Sequence, residues 1–244
     1  MIGIRECNQF FQDERDNTMI RGITMKEFLI TNELKPYVKR YLDKYEDTEY
    51  YRRKAYALYY SSLSNFRPSE AIKLYRKANS KSVLDPCAGW GGRCYGAMEY
   101  GANYIGFDTN INLKEPYDNF ITTYNKGNKK IEIHFEDSAK VDYSKYQYDT
   151  VLTSPPYYKR EPYNNMPSYK SPKEFYDKFL QPMISNSYKF LSIGGYYYLN
   201  VPQKMYETVV NIIGRECDEA ITYRKIKRNT TDYSEYVYLW IRTS

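Results

Sequence analysis

The stretch SVLDPCAGWGGR, residues 82–93, decides the fold of this chain. A short apolar run ends at the carboxylate Asp85, and a turn that holds three glycines within four residues leads into a helical segment, residues 93–100. Glycines in such a turn adopt φ > 0 and let the backbone pass close to a ligand without a Cβ clash. The pattern predicts a strand, a ligand-binding turn and a helix, as in α/β domains with a mostly parallel sheet.

Two phosphate-binding loops compete with this interpretation, and the sequence disfavours both. A P-loop would end in Gly-Lys-Ser/Thr, but Gly92 is followed by Arg93 and Cys94. The dinucleotide pattern GxGxxG is unmet, because Cys94 stands where its third glycine would be. Asp85 would repel a pyrophosphate, but a carboxylate pairs favourably with the ammonium of a methionine moiety. The turn therefore favours S-adenosylmethionine over a purely structural role.

A second stretch, DTVLTSPPY at residues 149–157, reads as a buried strand that runs into a proline corner. Proline lacks the N–H that a sheet ladder needs, so the chain must leave the sheet at Ser154. Strand carboxyl ends are where open α/β sheets bind ligands. The Pro155 carbonyl is a rigid acceptor, Ser154 adds a second acceptor and Tyr157 adds a flat face. This combination suits a planar group that carries an NH2, such as the amino edge of a nucleobase.

Residues 154–157, Ser-Pro-Pro-Tyr, resemble the [Asp/Asn/Ser]-Pro-Pro-[Tyr/Phe/Trp] motif of S-adenosylmethionine-dependent amino-methyltransferases. Residues 85–91 are similar to the Asp-Pro-x-x-Gly-x-Gly pattern of the same family. Its members methylate cytosine N4 or adenine N6 in DNA, and some act on RNA bases or glutamine amides. The resemblance covers residues 65–244 and implies a Rossmann-like class I methyltransferase fold. That fold has a doubly wound, mostly parallel seven-stranded sheet with a C-terminal antiparallel hairpin, and residues 1–64 would form a helical extension.

The resemblance carries over to individual positions. It implies catalytic roles for Ser154, Pro155, Pro156 and Tyr157. The cofactor-binding positions that it implies are Arg67, Pro68, Asp85, Pro86, Cys87, Ala88, Gly89, Gly91, Asp108, Asp137 and Ser138. Asp108 ends the predicted strand 104–107 and would accept from the ribose hydroxyls, at a spacing from the loop that nucleotide-binding folds share. Asp137 follows the predicted strand 131–135 and would accept from the adenine amino group.

Two residues near these motifs, Cys87 and His134, are of types that often act in catalysis, but the sequence favours structural roles for both. Cys87 follows a proline, as the nucleophile of cytosine-5 methyltransferases does, but that nucleophile belongs on the later strand that here carries Pro155 and Pro156. We therefore interpret Cys87 as a small packing residue beside the cofactor. His134 is the only histidine and alternates within a predicted strand, so it is interpreted as structural.

Substrate contacts are expected from basic residues in two loops, namely Lys159, Arg160, Lys227 and Arg228. A solvated loop explains Lys159 and Arg160 equally well. Residues 52–54, Arg-Arg-Lys, lie on a predicted helix (residues 50–63), where a solvated face is favoured over a phosphate contact. The sequence holds no inserted segment large enough for target recognition. Either residues 1–64 serve that purpose, or the enzyme is loosely specific or prefers single strands or RNA.

Serine at the first motif position favours cytosine N4 over adenine N6. The alternatives are methylation of an RNA base, methylation of a protein glutamine, and a catalytically inactive nucleic-acid-binding module.

A net charge of +6 and a pI near 8.8 permit an anionic partner, and DNA is the partner expected first. The start of the chain is polar, and no apolar run approaches the roughly 18 residues of a membrane span. Four cysteines without zinc spacing indicate neither a structural metal nor disulfides, and a reducing cytoplasm is expected. Richness in Tyr, Lys, Asn and Ile is typical of AT-rich genomes such as those of many phages.

Overall fold

The sheet is built on β1, Ser82–Asp85, the predicted strand before the glycine turn. A computed structural model describes residues 3–60, 63–158, 166–226 and 233–243, with the backbone only at 224–226, 233 and 234. The other strands are β2 (Asn103–Asp108), β3 (Ile131–Phe135), β4 (Thr150–Thr153), β5 (Tyr196–Pro202), β6 (Glu219–Ile226) and β7 (Tyr233–Ile241). They form a seven-stranded sheet of order β3-β2-β1-β4-β5-β7-β6. The first five strands are parallel, and β7 and β6 pair antiparallel, so the predicted sheet and closing hairpin are confirmed.

Successive residues of the central strands point to opposite faces of the sheet, and both faces are covered by helices. Val83 and Leu152 pack into the core on one face, whereas Leu84 and Val151 pack into the core on the other. The helices are α1 (Ile4–Asp16), α2 (Met25–Ile30), α3 (Pro36–Tyr45), α4 (Glu49–Tyr59), α5 (Pro68–Ala78), α6 (Gly92–Tyr100), α7 (Lys114–Tyr124), α8 (Pro172–Phe175), α9 (Gln181–Lys189) and α10 (Tyr206–Ile213). Helices α1 and α5 to α7 contribute to the first core, and α8 to α10 to the second.

Helices α8 and α9 belong to one continuous helical run. A π-helical segment, Tyr176–Leu180, joins them, and Pro182 lies in the first turn of α9. Pro182 has no N–H to donate to the carbonyl four residues earlier, as an α-helix requires. The wider π-helical turn before it accommodates this missing hydrogen bond.

The first 64 residues contribute to two different cores. Helices α2, α3 and α4 pack on one another through Phe28, Val38 and Tyr56. Of these, α4 matches the helix expected at residues 50–63, but it ends at Tyr59. Helix α1 was not foreseen from the polar start of the chain. Its Phe11 is buried in the core of the sheet domain, where its ring centroid lies 4.7 Å from that of Tyr117. The proposed boundary at residue 64 stays a prediction.

Within the described ranges, no helix combines the length and the apolar character that crossing a membrane requires.

Candidate functional site

The predicted motif residues meet at the carboxyl edge of the parallel strands. β1 lies between β2 and β4 in the sheet, and β2 pairs with β3. Asp85 ends β1, Asp108 ends β2, and Ser154 directly follows β4. Because parallel strands end at the same edge of a sheet, the tertiary structure brings together side chains that are far apart in sequence.

The glycine turn is fixed to the elements around it by its own backbone groups. Gly89 (φ +59°) and Gly91 (φ +75°) adopt left-handed conformations, which glycine tolerates best. The Gly89 amide donates to Asp108 Oδ2 at 2.8 Å. The Tyr117 hydroxyl accepts from the Gly91 amide at 3.2 Å and donates to the Gly89 carbonyl at 2.9 Å. The turn is therefore held in one shape by β2 and α7.

The two sides of the turn differ in the space that they leave. A Cβ at Gly91 would lie 2.4 Å from Phe11 Cε2, and one at Gly92 would lie 2.0 Å from the Phe66 carbonyl oxygen. At Gly89 the nearest atom to such a Cβ would be 3.8 Å away, the carbonyl oxygen of Cys87. The turn is thus packed tightly against α1 and the segment before α5, and it is open at Gly89.

Asp85 makes an internal ion pair that the sequence did not reveal. Its carboxylate is 0% exposed, and its Oδ2 accepts from Arg93 Nε and from the Tyr104 hydroxyl, both at 2.6 Å. Its Oδ1 accepts from the Cys87 amide at 3.1 Å. Although burial alone favours the neutral form of Arg93, the carboxylate of Asp85 raises the pKa of Arg93 above its ordinary value. Asp85 therefore positions the turn, and its predicted contact with a cofactor ammonium stays a prediction.

Asp108 and Asp137 lie at the ends of neighbouring strands with their carboxylates already oriented. Asp108 accepts from the amides of Gly89 and Asn110, the latter at 2.9 Å. Burial raises the pKa of Asp108 above its usual value. Asp137 Oδ1 accepts from the Ala139 amide at 3.1 Å. Ser138 beside it is buried, and its carbonyl accepts from a tyrosine hydroxyl.

The remaining predicted cofactor positions surround the turn. Arg67 is exposed, Pro68 begins α5, and the Arg67 amide donates to the Tyr223 hydroxyl at 3.0 Å. Pro86 and Ala88 are buried, and the Ala88 amide donates to the carbonyl of a β2 residue. Burial raises the pKa of the Cys87 thiol, which agrees with its interpretation as a packing residue rather than a nucleophile.

The Ser154 corner contains the contact that defines its chemistry. The Ser154 hydroxyl donates to Oδ1 of Asn200, on β5, at 3.2 Å. Asn200 is buried, and its Nδ2 donates to the Tyr236 carbonyl on β7 at 2.9 Å. This second bond fixes which end of the amide faces Ser154. Since a hydroxyl has a single proton, Ser154 Oγ is left as an acceptor toward any other partner.

The aromatic residue of the motif is also anchored. The Tyr157 hydroxyl donates to Glu235 Oε1, on β7, at 3.3 Å, and its ring is half-buried. Pro155 is buried and Pro156 is half-buried. Farther along the loop, Tyr169 packs edge-on against Phe175, with ring centroids 5.3 Å apart.

The predicted substrate contacts Lys159, Arg160, Lys227 and Arg228 lie outside the described residues. Of the basic cluster on α4, Arg52 pairs with Asp47 and donates to carbonyls at the end of α2. Arg53 pairs with Asp16 and Glu49. Both arginines thus hold helices together, which differs from the solvated face and from the phosphate contact that the sequence suggested.

Sequence reasoning missed Asn200, Arg93 and Glu235. Two of them left a signal. Asn200 is the only non-aromatic polar residue in the apolar run 196–201, and Arg93 directly follows the last glycine of the turn. A polar residue in such a place requires a partner when it is buried.

Comparison with known proteins supports the fold. No family model matches the chain, and no curated protein matches it. The structure of NSun6 from Pyrococcus horikoshii with SFG aligns over 75% of this chain, at 14% identity and a TM-score of 0.53. An rRNA methylase from Streptococcus thermophilus aligns over 74% of this chain and 100% of its own, at 14% identity and a TM-score of 0.50. The chain has a Rossmann-like methyltransferase fold.

This methyltransferase fold makes up only part of some of the similar structures. The chain spans about half the length of NSun6 (53%) and of TrmN from Thermus thermophilus (48%). TrmN aligns over 71% of this chain at 15% identity and a TM-score of 0.47. Identities this low establish a shared fold only. In the described part of the chain, no group of three or more His, Cys, Asp or Glu side chains is arranged to hold a metal ion.

Proposed function

We propose that this chain is an S-adenosylmethionine-dependent methyltransferase that acts on an exocyclic amino group of a nucleobase. The observation that carries the proposal is the hydrogen bond from Ser154 to Asn200. It makes Ser154 Oγ an acceptor, and the Pro155 carbonyl beside it is an acceptor as well. A corner with two acceptors suits an NH2 group, which has two protons to donate. A keto oxygen or an unprotonated ring nitrogen would need a donor instead.

The residues at the strand ends fit S-adenosylmethionine. An ionised carboxylate offers about four lone-pair directions, and the two amides that bind Asp108 take one each, which leaves acceptors for ribose hydroxyls. The open side of the turn at Gly89 gives the cofactor room, and Asp137 lies at the next strand end. When bound, this cofactor supplies an electrophilic methyl group. One of the similar structures contains SFG, an analogue of the same cofactor.

The chain's own residues would contribute positioning and electrostatics. The amine lone pair is delocalised into the base and is a poor nucleophile. Donation of both N–H groups, to Ser154 Oγ and to the Pro155 carbonyl, favours a pyramidal nitrogen and aims its lone pair away from the corner. Tyr157 would stack on the base, which contributes about 1–3 kcal/mol. That partly offsets the few kcal/mol needed to extrude a base from a duplex. The methylated amine is cationic and releases its proton to water, so no dedicated base is required.

For the substrate, we propose cytosine N4 in DNA ahead of adenine N6, on the grounds of serine at position 154. A base in RNA is the second candidate, and the name of the similar rRNA methylase supports it. Methylation of a protein glutamine is less favoured, because those enzymes usually carry asparagine at the position of Ser154.

The direct test is to incubate the protein with isotope-labelled S-adenosylmethionine and, separately, single-stranded DNA, duplex DNA and RNA. Nucleoside mass spectrometry then identifies the product. We expect label on an exocyclic nitrogen, and at least a tenfold lower rate for Ser154→Ala with cofactor binding unchanged by calorimetry. Label on a ring carbon or ring nitrogen would contradict the amino specificity. Binding of the cofactor without transfer to any nucleic acid would favour a protein substrate or an inactive binding module.

A further inference from the structure

Helices α3 and α4 present a row of tyrosine rings along one side of their junction. We call this surface the tyrosine face, and its residues are Tyr37, Tyr41 and Tyr45 on α3 and Tyr50, Tyr51 and Tyr59 on α4. The α3 members are four residues apart, a spacing that places side chains on one face of a helix. Ring centroids lie 4.9 Å apart for Tyr37 and Tyr59, and 5.5 Å apart for the stacked pair Tyr45 and Tyr51.

The tyrosine face is unusual in its exposure. Tyr50 is 59% exposed, Tyr45 is 42% exposed and Tyr37 is 38% exposed. Where side chains are described, these are the only aromatic residues that are exposed, although the chain contains 31 tyrosines. The other tyrosine side chains that the structure describes are at least half-buried, and several fill the core. Grouping of the exposed rings on one surface therefore indicates a contact function rather than a compositional bias.

Two lysine side chains lie over rings of the tyrosine face. Lys54 Nζ lies 4.3 Å from the ring centroid of Tyr50, and Lys44 Nζ lies 5.3 Å from that of Tyr45. The acidic residues of α3 and of the turn after it point elsewhere. Asp43 is two residues from both Tyr41 and Tyr45, which places it on the opposite side of α3. Together with Glu46 and Asp47 it lines a groove that also contains Lys39 and Arg52. The tyrosine face thus combines aromatic rings with positive charge.

We propose that the tyrosine face binds single-stranded nucleic acid. Bases would stack on the exposed rings, and Lys44 and Lys54 would contact phosphates. Stacking of a base on an aromatic side chain is favourable and tolerates any sequence, since every base has a flat face. A duplex hides those faces inside its stack, so the surface selects single strands. The site is separate from the Ser154 corner, and it relies on the proposed function only for the identity of the substrate.

The position of the surface connects it with the candidate active site. On α4, Arg53 pairs with Asp16 at the end of α1, with an N–O distance of 2.8 Å. Two residues earlier in α1, Glu14 accepts from Asn110 Nδ2 at 2.9 Å, and the Asn110 amide donates to Asp108. The helices that carry the tyrosine face are therefore attached at the carboxyl edge of the sheet.

The experiment measures fluorescence anisotropy of labelled 20-nucleotide oligo(dT), oligo(U) and a DNA duplex, without any methyl donor. We expect the double variant Tyr45→Ala/Tyr50→Ala to bind single strands at least tenfold more weakly. The matched variant Tyr45→Phe/Tyr50→Phe keeps both rings and is expected within threefold of the wild type. Ile193→Ala removes a side chain that is 74% exposed in the loop before β5 and is expected to change nothing. Lys44→Glu/Lys54→Glu is expected to weaken binding and to reduce its salt dependence.

Equal affinity of the alanine double variant and the wild type would overturn the proposal, and so would tighter binding of the duplex than of single strands. Capture of a protein by this surface, with no oligonucleotide bound, would overturn it as well. Because binding is measured without a methyl donor, the result is independent of methylation. If the wild-type protein binds oligonucleotides through this surface but transfers no methyl group to them, that result would count against the proposed function and not against the tyrosine face.

Discussion

The hydroxyl of Ser154 donates to the side-chain oxygen of Asn200 across 3.2 Å, between the corner after β4 and the neighbouring strand β5. Asn200 is held in turn by the Tyr236 carbonyl on β7. Three adjacent strands thus determine the direction of one proton. That direction decides whether the corner accepts hydrogen bonds from an amine or donates one to a carbonyl, so Asn200 is a positioning residue in the proposed reaction.

Substitution of Asn200 tests this role. Asn200→Ala lets the Ser154 hydroxyl rotate, and we expect kcat to fall about tenfold, the equivalent of one hydrogen bond of about 1–1.5 kcal/mol. The KM for S-adenosylmethionine should not change, because Asp108 and the glycine turn are untouched. In a Ser154→Ala background, Asn200→Ala should lower kcat no further. Additive losses in that double-mutant cycle would show that Asn200 acts independently of Ser154.

The buried pair of Asp85 and Arg93 is expected to dominate the stability of the turn. Asp85→Asn leaves a buried guanidinium without its counter-charge, which should lower the free energy of unfolding by about 3–5 kcal/mol. For a chain of this size that corresponds to a melting temperature about 10 °C lower, which differential scanning calorimetry measures.

The double variant Asp85→Asn/Arg93→Met is the control. It removes both charges, and we expect it to recover most of the lost stability. A stable double variant that no longer binds S-adenosylmethionine would show that Asp85 also contacts the cofactor, as the sequence predicts. A single variant as stable as the wild type would contradict the structural role.

Two substitutions of Tyr157 separate its ring from its hydroxyl. Tyr157→Phe removes the hydroxyl and with it the bond to Glu235, and we expect less than a fivefold change in kcat/KM because ring stacking remains. Tyr157→Ala removes the stacking surface, worth about 1–3 kcal/mol, and should lower kcat/KM by about one to two orders of magnitude. Steady-state kinetics on a single-stranded substrate check both values. Equal losses in the two variants would assign the function to the hydroxyl.

Alanine substitutions at Gly91 and Gly92 should both destabilise the protein, but only the first should be relieved by shortening a neighbouring side chain. An alanine at Gly91 combines a φ of +75° with a clash against Phe11, and we expect it to destabilise the protein by about 2–5 kcal/mol. Phe11→Leu should relieve part of that loss, because the clash is with a side chain. An alanine at Gly92 meets the Phe66 carbonyl, a backbone atom, so no side-chain truncation at Phe66 should relieve it. Urea denaturation of the single and double variants provides the comparison.

Local pattern was sufficient to predict much of the fold. The strand 131–135 has the predicted bounds, β1 ends at Asp85 as predicted, and β2 is one residue longer at each end than the predicted strand 104–107. Apolar runs, glycine turns and prolines act over a few residues, so their effect is visible in the chain itself. Helix α1 was missed because its sequence is mostly polar, and the core that buries Cys7 and Phe11 is formed by distant parts of the chain.

Likewise, the sequence alone determined where the candidate site lies, since the glycine turn and the Ser154 corner must both sit at strand carboxyl ends. Only the tertiary structure decided what those residues do to one another. Asp85 forms an ion pair with Arg93. Ser154 donates a hydrogen bond to Asn200, which is 46 residues away in the sequence. Which polar groups become partners depends on strand order and on burial, and both arise from packing between segments that are distant in the chain. Burial then makes each pairing strong, because a polar group without a partner is costly away from water.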